Sequence, residues 1–320
     1  MQAIEVESLV KTYPGNVRAL DGLTFSVQEG TVFGLLGPNG AGKTTAVKIL
    51  TTLSRADSGT ARVRELDVVR DAARVRRLIG VVQQKHAVDP ALTGRENLRL
   101  QGRVFDMPRD ELEPRVETLL DQFGLADAGD RVTRGYSGGM QRRLDIAMAL
   151  VHRPRVLFLD EPTTGLDPEV RVAMWREIER LRGEEGLTIL LTTHYLEEAD
   201  VLASNLAIVD KGRVVVAGTP GSLKGELRGD SVVLELTVGA DGAVDALTSV
   251  DGIRDVQLDG STLRTRADDG ARAVPLMLQA LELRGLGVES VTVARPSLDD
   301  VYLQYTGRAF AEADAEGTKQ

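Results

Sequence analysis

Residues 37–45 read Gly-Pro-Asn-Gly-Ala-Gly-Lys-Thr-Thr, and this stretch decides the fold. It fits the pattern G-x-x-x-x-G-K-[ST], with Gly37 and Gly42 as the framing glycines. A short apolar run precedes it at 31–36, and apolar residues at helical spacing follow it. A strand, a glycine turn and a helix start in this order point backbone N–H groups and the positive helix end at one spot. The stretch therefore predicts a nucleoside triphosphate site.

The residue types in this loop, hereafter the P-loop (residues 37–45), suit phosphate and a metal ion. A Cβ would block both positive-φ turns and the close approach of a phosphate, which explains the glycines. Lys43 supplies a mobile positive charge for the β- and γ-phosphates, and the hydroxyl of Thr44 suits Mg²⁺. The predicted nucleotide-binding residues of the loop are Gly37, Asn39, Gly40, Gly42, Lys43, Thr44 and Thr45.

Size and composition exclude several classes of protein. The 320 residues leave room for about two domains. A net charge of −9 argues against a nucleic-acid binder, which should carry a basic excess. The chain has no cysteine, so disulfides and thiolate metal sites are excluded, and this suits a reducing cytoplasm. The acidic N-terminus does not resemble a signal peptide, and no segment approaches 18 consecutive apolar residues. We expect a membrane partner to supply any spanning part.

The first thirty residues alternate apolar and polar side chains. This pattern predicts antiparallel strands, with turns at 13–16 and 21–22. Tyr13 precedes the first turn and can present its ring for stacking on a base. The alternative is an ordinary half-buried aromatic of a strand.

Two further stretches suggest groups that act on a phosphate. Ser137-Gly138-Gly139 precedes a helix with one apolar stripe, so Ser137 occupies an N-cap position at a second helix start. Alone, this is only a cap and a turn. Residues 156–160 form a buried strand of the parallel-sheet type, which ends in Asp160 and Glu161.

The carboxyl ends of parallel strands form the edge where the P-loop also lies. Asp160 is therefore placed to hold Mg²⁺ or its waters, and Glu161 to orient and deprotonate an attacking water. The alternative is a pair of solvated acids. His194 follows another apolar strand at 187–193, so it belongs to the same edge.

Together these motifs resemble the ATP-binding subunit of an ABC transporter over residues 1 to about 220. The resemblance implies the Walker A loop at Gly37–Thr45, adenine-stacking Tyr13, Q-loop Gln84, signature motif Ser137-Gly138-Gly139, Walker B Asp160, catalytic Glu161, D-loop Asp167 and switch His194. By this resemblance Glu161, His194, Lys43 and Gln84 are catalytic, and Mg²⁺ lies at Thr44, Gln84 and Asp160.

Some positions depart from the commonest form of the family. The signature begins with Tyr136 instead of Leu, Met140 replaces the usual Gln, and Thr164-Gly165 stands where Ser-Ala is frequent. Gln83 adjoins Gln84, and alignment on Ile79-Gly80 favours Gln84 as the Q-loop glutamine. These variants resemble the type-2 exporter branch, in particular the daunorubicin-resistance drug export ATPases.

The expected fold class is α/β, a P-loop NTPase with a RecA-like core, an antiparallel β subdomain and a helical subdomain at about 88–150. This domain covers residues 1–220. A small α+β accessory domain is expected at 221–310. The resemblance implies a role for it in dimer support or regulation, and an inert brace is the alternative. The polar tail at 311–320 is expected to be disordered.

The resemblance also implies a mechanism. Two copies form a head-to-tail dimer with two ATP molecules between them, and each signature motif meets the nucleotide of the other copy. The protein then lies on the cytoplasmic face of the membrane, bound to a permease near residues 85–125. It drives export of a hydrophobic drug or antibiotic, with lipid, polysaccharide or ion export as alternatives. A soluble, non-transport ABC ATPase is the other class of function.

Overall fold

The computed structural model describes residues 1–227, 229–237 and 242–317. The remaining positions of the predicted accessory domain and of the tail lie outside the described residues. The chain divides into two compact units: Met1–Pro220 together with the residues from Phe310 onward, and Gly221–Ala309. Within the described ranges, no helix combines the length and the apolar character that crossing a membrane requires.

The first unit alternates strands and helices over most of its length. In chain order its elements are β1 (Gln2–Tyr13), β2 (Val17–Gln28), β3 (Val32–Leu36), α1 (Lys43–Leu50), β4 (Ser58–Val63), β5 (Leu66–Asp67), α2 (Ala72–Leu78), β6 (Ile79–Val82), α3 (Gly94–Val104), α4 (Arg109–Gln122), α5 (Gly138–Leu150), β7 (Val156–Asp160), α6 (Pro168–Glu185), β8 (Thr188–Thr193), α7 (Leu196–Leu202), β9 (Asn205–Asp210) and β10 (Arg213–Gly218).

A six-stranded sheet in the order β10-β9-β3-β8-β7-β6 forms the centre of this unit. Its pairs are parallel except for β9 with β10, and β3, β7 and β8 are buried along their whole lengths. Leu36 pairs with Thr193, and Asp160 pairs with Thr192, so the strands end at one edge. The predicted α/β class is confirmed, and this edge gathers the P-loop, the two acids and His194.

A second sheet, β2-β1-β4-β5, is antiparallel. The turn predicted at 21–22 is wrong, because both residues lie inside β2. Leu23 pairs with Leu9 and Asp21 with Val10, so Gly22 is an extra bulge residue, with φ of +83°. A glycine fits a bulge that needs positive φ as well as it fits a turn, which is why the local pattern misled.

Residues 88–150 contain α3, α4 and α5. Helix α3 starts with a capping box, in which Thr93 and Glu96 each accept a backbone N–H from the other. The three helices bury a shared apolar cluster that continues to β7 and α6. Packing therefore ties the helical region to the central sheet and sets the position of the start of α5.

The second unit is a small α+β domain. In chain order, its elements are α8 (Pro220–Glu226, from the end of the first unit), β11 (Asp230–Leu236), α9 (Ala243–Thr248), β12 (Ile253–Asp259), β13 (Thr262–Ala267), α10 (Gly270–Glu282), β14 (Val288–Ala294) and α11 (Leu298–Thr306). Its antiparallel sheet has the order β12-β13-β11-β14. Leu234, Leu247 and Met277, from β11, α9 and α10, are fully buried in one core.

The prediction of a disordered tail from residue 311 is contradicted over most of that stretch. Helix α12 (Phe310–Gly317) forms there and belongs to the first unit. Phe310 and Ala313 are buried, at 5% and 3% exposure, and Asp314 accepts a hydrogen bond from the Asn39 amide. Alternating alanines and acids favour helix once a partner surface is available, and composition alone does not reveal that surface. Residues 318–320 lie outside the described residues.

Candidate active site

The P-loop is shaped by close backbone packing as well as by its turns. Gly40 and Gly42 have φ values of +77° and +105°, and α1 starts directly afterwards at Lys43. A Cβ on Gly42 would meet the Ala19 carbonyl of β2, and one on Gly37 would meet the Val209 carbonyl of β9. These glycines are therefore required by neighbouring strands, even before a phosphate approaches.

Lys43 is buried, at 4% exposure, and its ammonium is folded back onto the loop. Its Nζ donates to the carbonyls of Gly37 at 2.6 Å and Pro38 at 3.0 Å, and it lies 3.8 Å from Oε1 of Glu161. Burial lowers the pKa of Lys43, and the acids around it, Glu161 foremost, oppose that shift. Lys43 thus links the phosphate loop directly to the predicted base.

Asp160 ends β7 and is 5% exposed. Its Oδ1 accepts from the hydroxyl of Thr192 at 2.5 Å and from that of Thr44 at 3.3 Å. Thr44, Gln84 and Asp160 also line one cavity of about 170 Å³. The three predicted metal ligands therefore share one space.

The donors at this cavity fit Mg²⁺. The described residues contain no cluster of three or more His, Cys, Asp or Glu side chains suited to a metal. A carboxylate, a hydroxyl and an amide oxygen are hard donors of the kind that hold Mg²⁺ together with waters and substrate phosphates. A dedicated cage of protein carboxylates is not needed for that coordination.

Glu161 lies at the centre of a polar network. It follows β7 with φ of +49°, and its N–H donates to the carbonyl and the hydroxyl of Thr192, each at 3.1 Å. Its carboxylate accepts from Gln84 Nε2 at 3.2 Å and from Thr164 Oγ1 at 3.3 Å. A positive φ is uncommon for a residue other than glycine, so the hydrogen bonds around Glu161 hold its backbone in an unfavoured conformation.

His194 and Lys43 determine the charge state of this acid. His194 Nδ1 lies 3.3 Å from Oε1 of Glu161, and the His194 side chain is 16% exposed. Burial alone would raise the pKa of Glu161, but His194, Lys43 and Thr164 outweigh it and hold the pKa below its ordinary value. The four residues predicted to be catalytic, including Gln84, thus meet at one carboxylate.

Tyr13 is half-buried at the end of β1, opposite Val17 in the hairpin. Lys11 Nζ lies 5.7 Å from the centroid of its ring. The same hairpin touches the P-loop, because Ala19 and Leu20 lie against Gly42. Base stacking by Tyr13 stays a prediction.

The signature motif lies at a different cavity. Ser137 is the N-cap of α5, and its Oγ accepts from the Met140 N–H at 3.3 Å. Ser137 and Gly139 line a cavity of about 520 Å³ together with Glu169, Val170 and other residues of α4, α5 and α6, with no P-loop residue in its lining. Asp167 is the exposed N-cap residue of α6, the helix that supplies Glu169 and Val170 to this cavity. The structure does not bring this motif to the P-loop of its own chain.

Two residues that sequence reasoning missed hold the site together. Thr192 connects Asp160 and Glu161 to the neighbouring strand β8 through its hydroxyl. Arg142, 3% exposed on α5, donates to four backbone carbonyls: those of Gln83 (2.6 Å), Pro162 (2.8 Å), Asp160 (3.3 Å) and Glu161 (3.3 Å).

The sequence contains a weak signal for each of these two residues. Arg142 is three residues before Asp145 on a helix whose other side chains are mostly apolar. A charged pair with that spacing on a buried helix is a signal for an internal contact. Thr192 stands in an apolar strand two residues before His194, at the level of the acids, which only strand register reveals.

Comparisons with known protein families find two matching domain models. The model described as ABC transporter matches residues 20–164. The model described as the C-terminal domain of DrrA1-3-like ATP-binding proteins matches residues 218–306. The first match lies within the first compact unit, and the second covers most of the second unit.

Curated relatives match nearly the whole chain. Daunorubicin resistance ATP-binding protein DrrA2 of Streptomyces coeruleorubidus is 45% identical over 98% of this chain and 98% of its own. Daunorubicin/doxorubicin resistance ATP-binding protein DrrA of Streptomyces peucetius is 44% identical over 98% and 96%. Nod factor export ATP-binding protein I of Sinorhizobium fredii is 41% identical over 97% and 88%.

Solved structures match about 70% of this chain. The protein cbiO1 of Clostridium perfringens, part of the ABC transporter complex cbiONQ, has a TM-score of 0.64 and 28% identity over 71% of this chain and 92% of its own. The dimeric ATP-binding cassette MJ0796, bound to ADP and phosphate after hydrolysis, has a TM-score of 0.61 and 25% identity over 68% and 98%.

Proposed function

Since the chain belongs to the ATP-binding subunits of ABC transporters, in the branch of the daunorubicin-resistance ATP-binding proteins, we propose that it is the ATP-hydrolysing subunit of an exporter. The observation that carries the proposal is the single network of Lys43, Asp160, Glu161 and His194 beside the P-loop. A phosphate loop, a carboxylate for the metal and a second carboxylate for water are what phosphoryl transfer to water requires.

The P-loop and Lys43 bind the phosphates. Thr44, Asp160 and Gln84 would hold Mg²⁺, which when bound would neutralise charge on the phosphate oxygens. In the structure Lys43 pairs with Glu161 and with the loop's own carbonyls. Moving Nζ to the phosphates would release Glu161 for the attacking water, so nucleotide binding itself prepares the base.

Glu161 orients the water and accepts its proton as the transition state develops. Its lowered pKa keeps it ionised at neutral pH, although it is then a weak base before bond formation begins. Positioning therefore contributes more than basicity, and Gln84, Thr164 and His194 supply it. His194 would hold the γ-phosphate and the water together.

The working form is a head-to-tail dimer. Ser137 and Gly139 open onto a cavity without P-loop residues, so an intact site needs the signature motif of a second copy. The relative MJ0796 is a dimer in its solved form, which supports this arrangement. ATP held from both sides joins the copies, and they separate after hydrolysis.

A membrane permease is the proposed second partner, and a groove of about 450 Å³ beside the Q-loop is its docking site. Leu53 and Val104, at 62% and 68% exposure, line this groove with Gln83. Leu53 and Gln83 also line the cavity that contains Thr44, Gln84 and Asp160. Movement of a docked permease segment would therefore be transmitted to Gln84. The chain would then lie peripherally on the cytoplasmic face of the membrane.

The proposed cargo is a hydrophobic antibiotic such as an anthracycline. The named relatives support this class, since their names give resistance to daunorubicin, doxorubicin and, for a Bacillus subtilis protein, linearmycin. Nod factor export by other relatives is the basis for the second candidate, a lipid or saccharide.

Inverted vesicles that contain the chain and its co-purified permease provide the test. ATP should drive accumulation of fluorescent daunorubicin, and Lys43→Ala should abolish it. Glu289→Gln, an exposed change on β14 of the second unit, should leave it unchanged. ATP hydrolysis without accumulation of daunorubicin would leave the ATPase assignment standing and overturn the cargo. Failure to co-purify any membrane protein would favour a non-transport role.

A further inference from the structure

The chain's own last helix, α12, contacts the P-loop. Helix α12 lies in the same compact unit as the loop, and Asp314 Oδ1 accepts a hydrogen bond from the backbone N–H of Asn39 at 2.8 Å. That amide is one of the loop N–H groups that a phosphate would use. A carboxylate oxygen resembles a phosphate oxygen in charge and in its capacity to accept N–H bonds.

The contact extends over the end of the helix. A Cβ on Gly317 would run into the Asn39 carbonyl, and a Cβ on Gly40 would lie 3.7 Å from the Gly317 Cα. Only a glycine at 317 permits this approach. Asp314 is also close enough to Lys43 to oppose the lowering of its pKa. The carboxylate, the loop amide and the P-loop cation therefore form one electrostatic group.

We propose that α12 occupies the P-loop in the absence of nucleotide, with Asp314 competing against the phosphates of ATP. The inference rests on the proposed nucleotide site and adds its regulation. ATP must displace α12 to reach Asn39 and Lys43, so the apparent dissociation constant is the intrinsic one divided by the fraction of time the loop is uncovered. A partner that captures α12 elsewhere would open the site.

Two substitutions in the full chain test this by different routes. Asp314→Asn removes the charge, and Gly317→Ala keeps every charge but forces the helix away from Asn39. Both should tighten binding of a fluorescent N-methylanthraniloyl ATP by about three- to tenfold. Glu312→Gln, an exposed change of the same charge on the same helix, should bind like wild type.

Hydrogen exchange in the full-length wild type is the second measurement. Saturating ATP and Mg²⁺ should speed exchange of the amides of α12, because the nucleotide expels the helix. Unchanged exchange in α12, or binding by Asp314→Asn and Gly317→Ala equal to that of Glu312→Gln, would overturn the inference. Absence of nucleotide binding in wild type and all variants would instead overturn the proposed function.

A second inference concerns Arg142 and rests on different contacts. Its buried guanidinium joins three segments: the Q-loop through Gln83, the end of β7 and the following turn through Asp160, Glu161 and Pro162, and its own helix α5. The structure assigns Arg142 as a positioning residue that keeps Gln84 and Glu161 in register with the signature helix. Lysine cannot reproduce it, since a guanidinium donates in several fixed directions and an ammonium does not.

The test separates binding from turnover. Arg142→Met should lower kcat of ATP hydrolysis by about 10- to 100-fold with a nucleotide dissociation constant within about twofold of wild type, since the P-loop is untouched. The kcat of Arg142→Lys should lie between those of wild type and Arg142→Met. Arg115→Met, which removes a half-buried arginine that donates to the Leu150 carbonyl, is the control. Equal kcat in Arg142→Lys and Arg115→Met would overturn the assignment.

Discussion

Replacing Thr192 by valine removes one hydroxyl from the centre of the site and keeps its shape. Thr192 is fully buried on β8, and its Oγ1 donates to Asp160 Oδ1 at 2.5 Å. The same oxygen accepts the Glu161 N–H, which also donates to the Thr192 carbonyl. Valine leaves that second acceptor in place, so no backbone donor is orphaned and no cavity opens.

The expected loss of stability follows from one charge-assisted bond. A hydrogen bond to a charged group contributes about 1.5–3 kcal/mol, so Thr192→Val should lower the free energy of unfolding by about that amount. Asp160 also loses a donor that fixes the direction of its carboxylate. Removing such an outer partner weakens metal binding by about tenfold, so the Mg²⁺ concentration for half-maximal ATPase activity should rise by about that factor.

Thr188→Val on the same strand is the matched control. Its hydroxyl accepts from the Gly30 N–H at 3.0 Å, far along β8 from the acids. Loss of this neutral bond should cost about 1 kcal/mol and leave the Mg²⁺ dependence unchanged. Urea unfolding and phosphate release against Mg²⁺ concentration measure both quantities. A Thr192→Val protein within about 0.5 kcal/mol of wild type, with an unshifted Mg²⁺ curve, would refute the role given to Thr192.

Three further predictions concern charge. Lys43→Ala should abolish ATP turnover, because Lys43 is the cation of the P-loop, and normal phosphate release would overturn the site. Glu161→Gln should bind ATP and Mg²⁺ without hydrolysis and accumulate as a dimer, and light scattering that finds only monomer would count against it. Glu198 accepts hydrogen bonds from Thr163 and Trp175, and burial raises its pKa above the ordinary 4.5. Its contribution to stability is therefore fully present below pH 4.5 and is lost as the pH rises through the raised pKa. The unfolding free energy of wild type minus that of Glu198→Gln should therefore fall from pH 4 to 8, and a constant difference would contradict the shift.

Short patterns predicted the parts of the site that lie within a few residues of a strand end. The P-loop, Asp160 with Glu161, and His194 each follow an apolar strand, and parallel strands bring their carboxyl ends to one edge. The α/β class follows from the same alternation. No long-range information is needed for these elements.

Contacts that depend on register or on distant segments escaped prediction. Thr192 reads as one more strand residue until its pairing with Asp160 is known. Gly22 fits either a turn or a bulge, and only pairing across β1 decides between them. Gly37 needs to be glycine because Val209, more than 170 positions away along the chain, lies against it. Composition predicted a disordered tail, whereas α12 is ordered against Asn39.

Two kinds of chain in one mixture test the central claim, that each ATP site combines two copies. One carries Lys43→Ala and the other Gly138→Asp, which blocks the signature motif. A Cβ at position 138 has no neighbour within 4 Å, so the fold accommodates this substitution. Half of randomly paired dimers are mixed, and one of their two sites then keeps both intact halves, so the mixture should recover about a quarter of wild-type ATPase activity. Activity no higher than that of either variant alone would contradict composite sites.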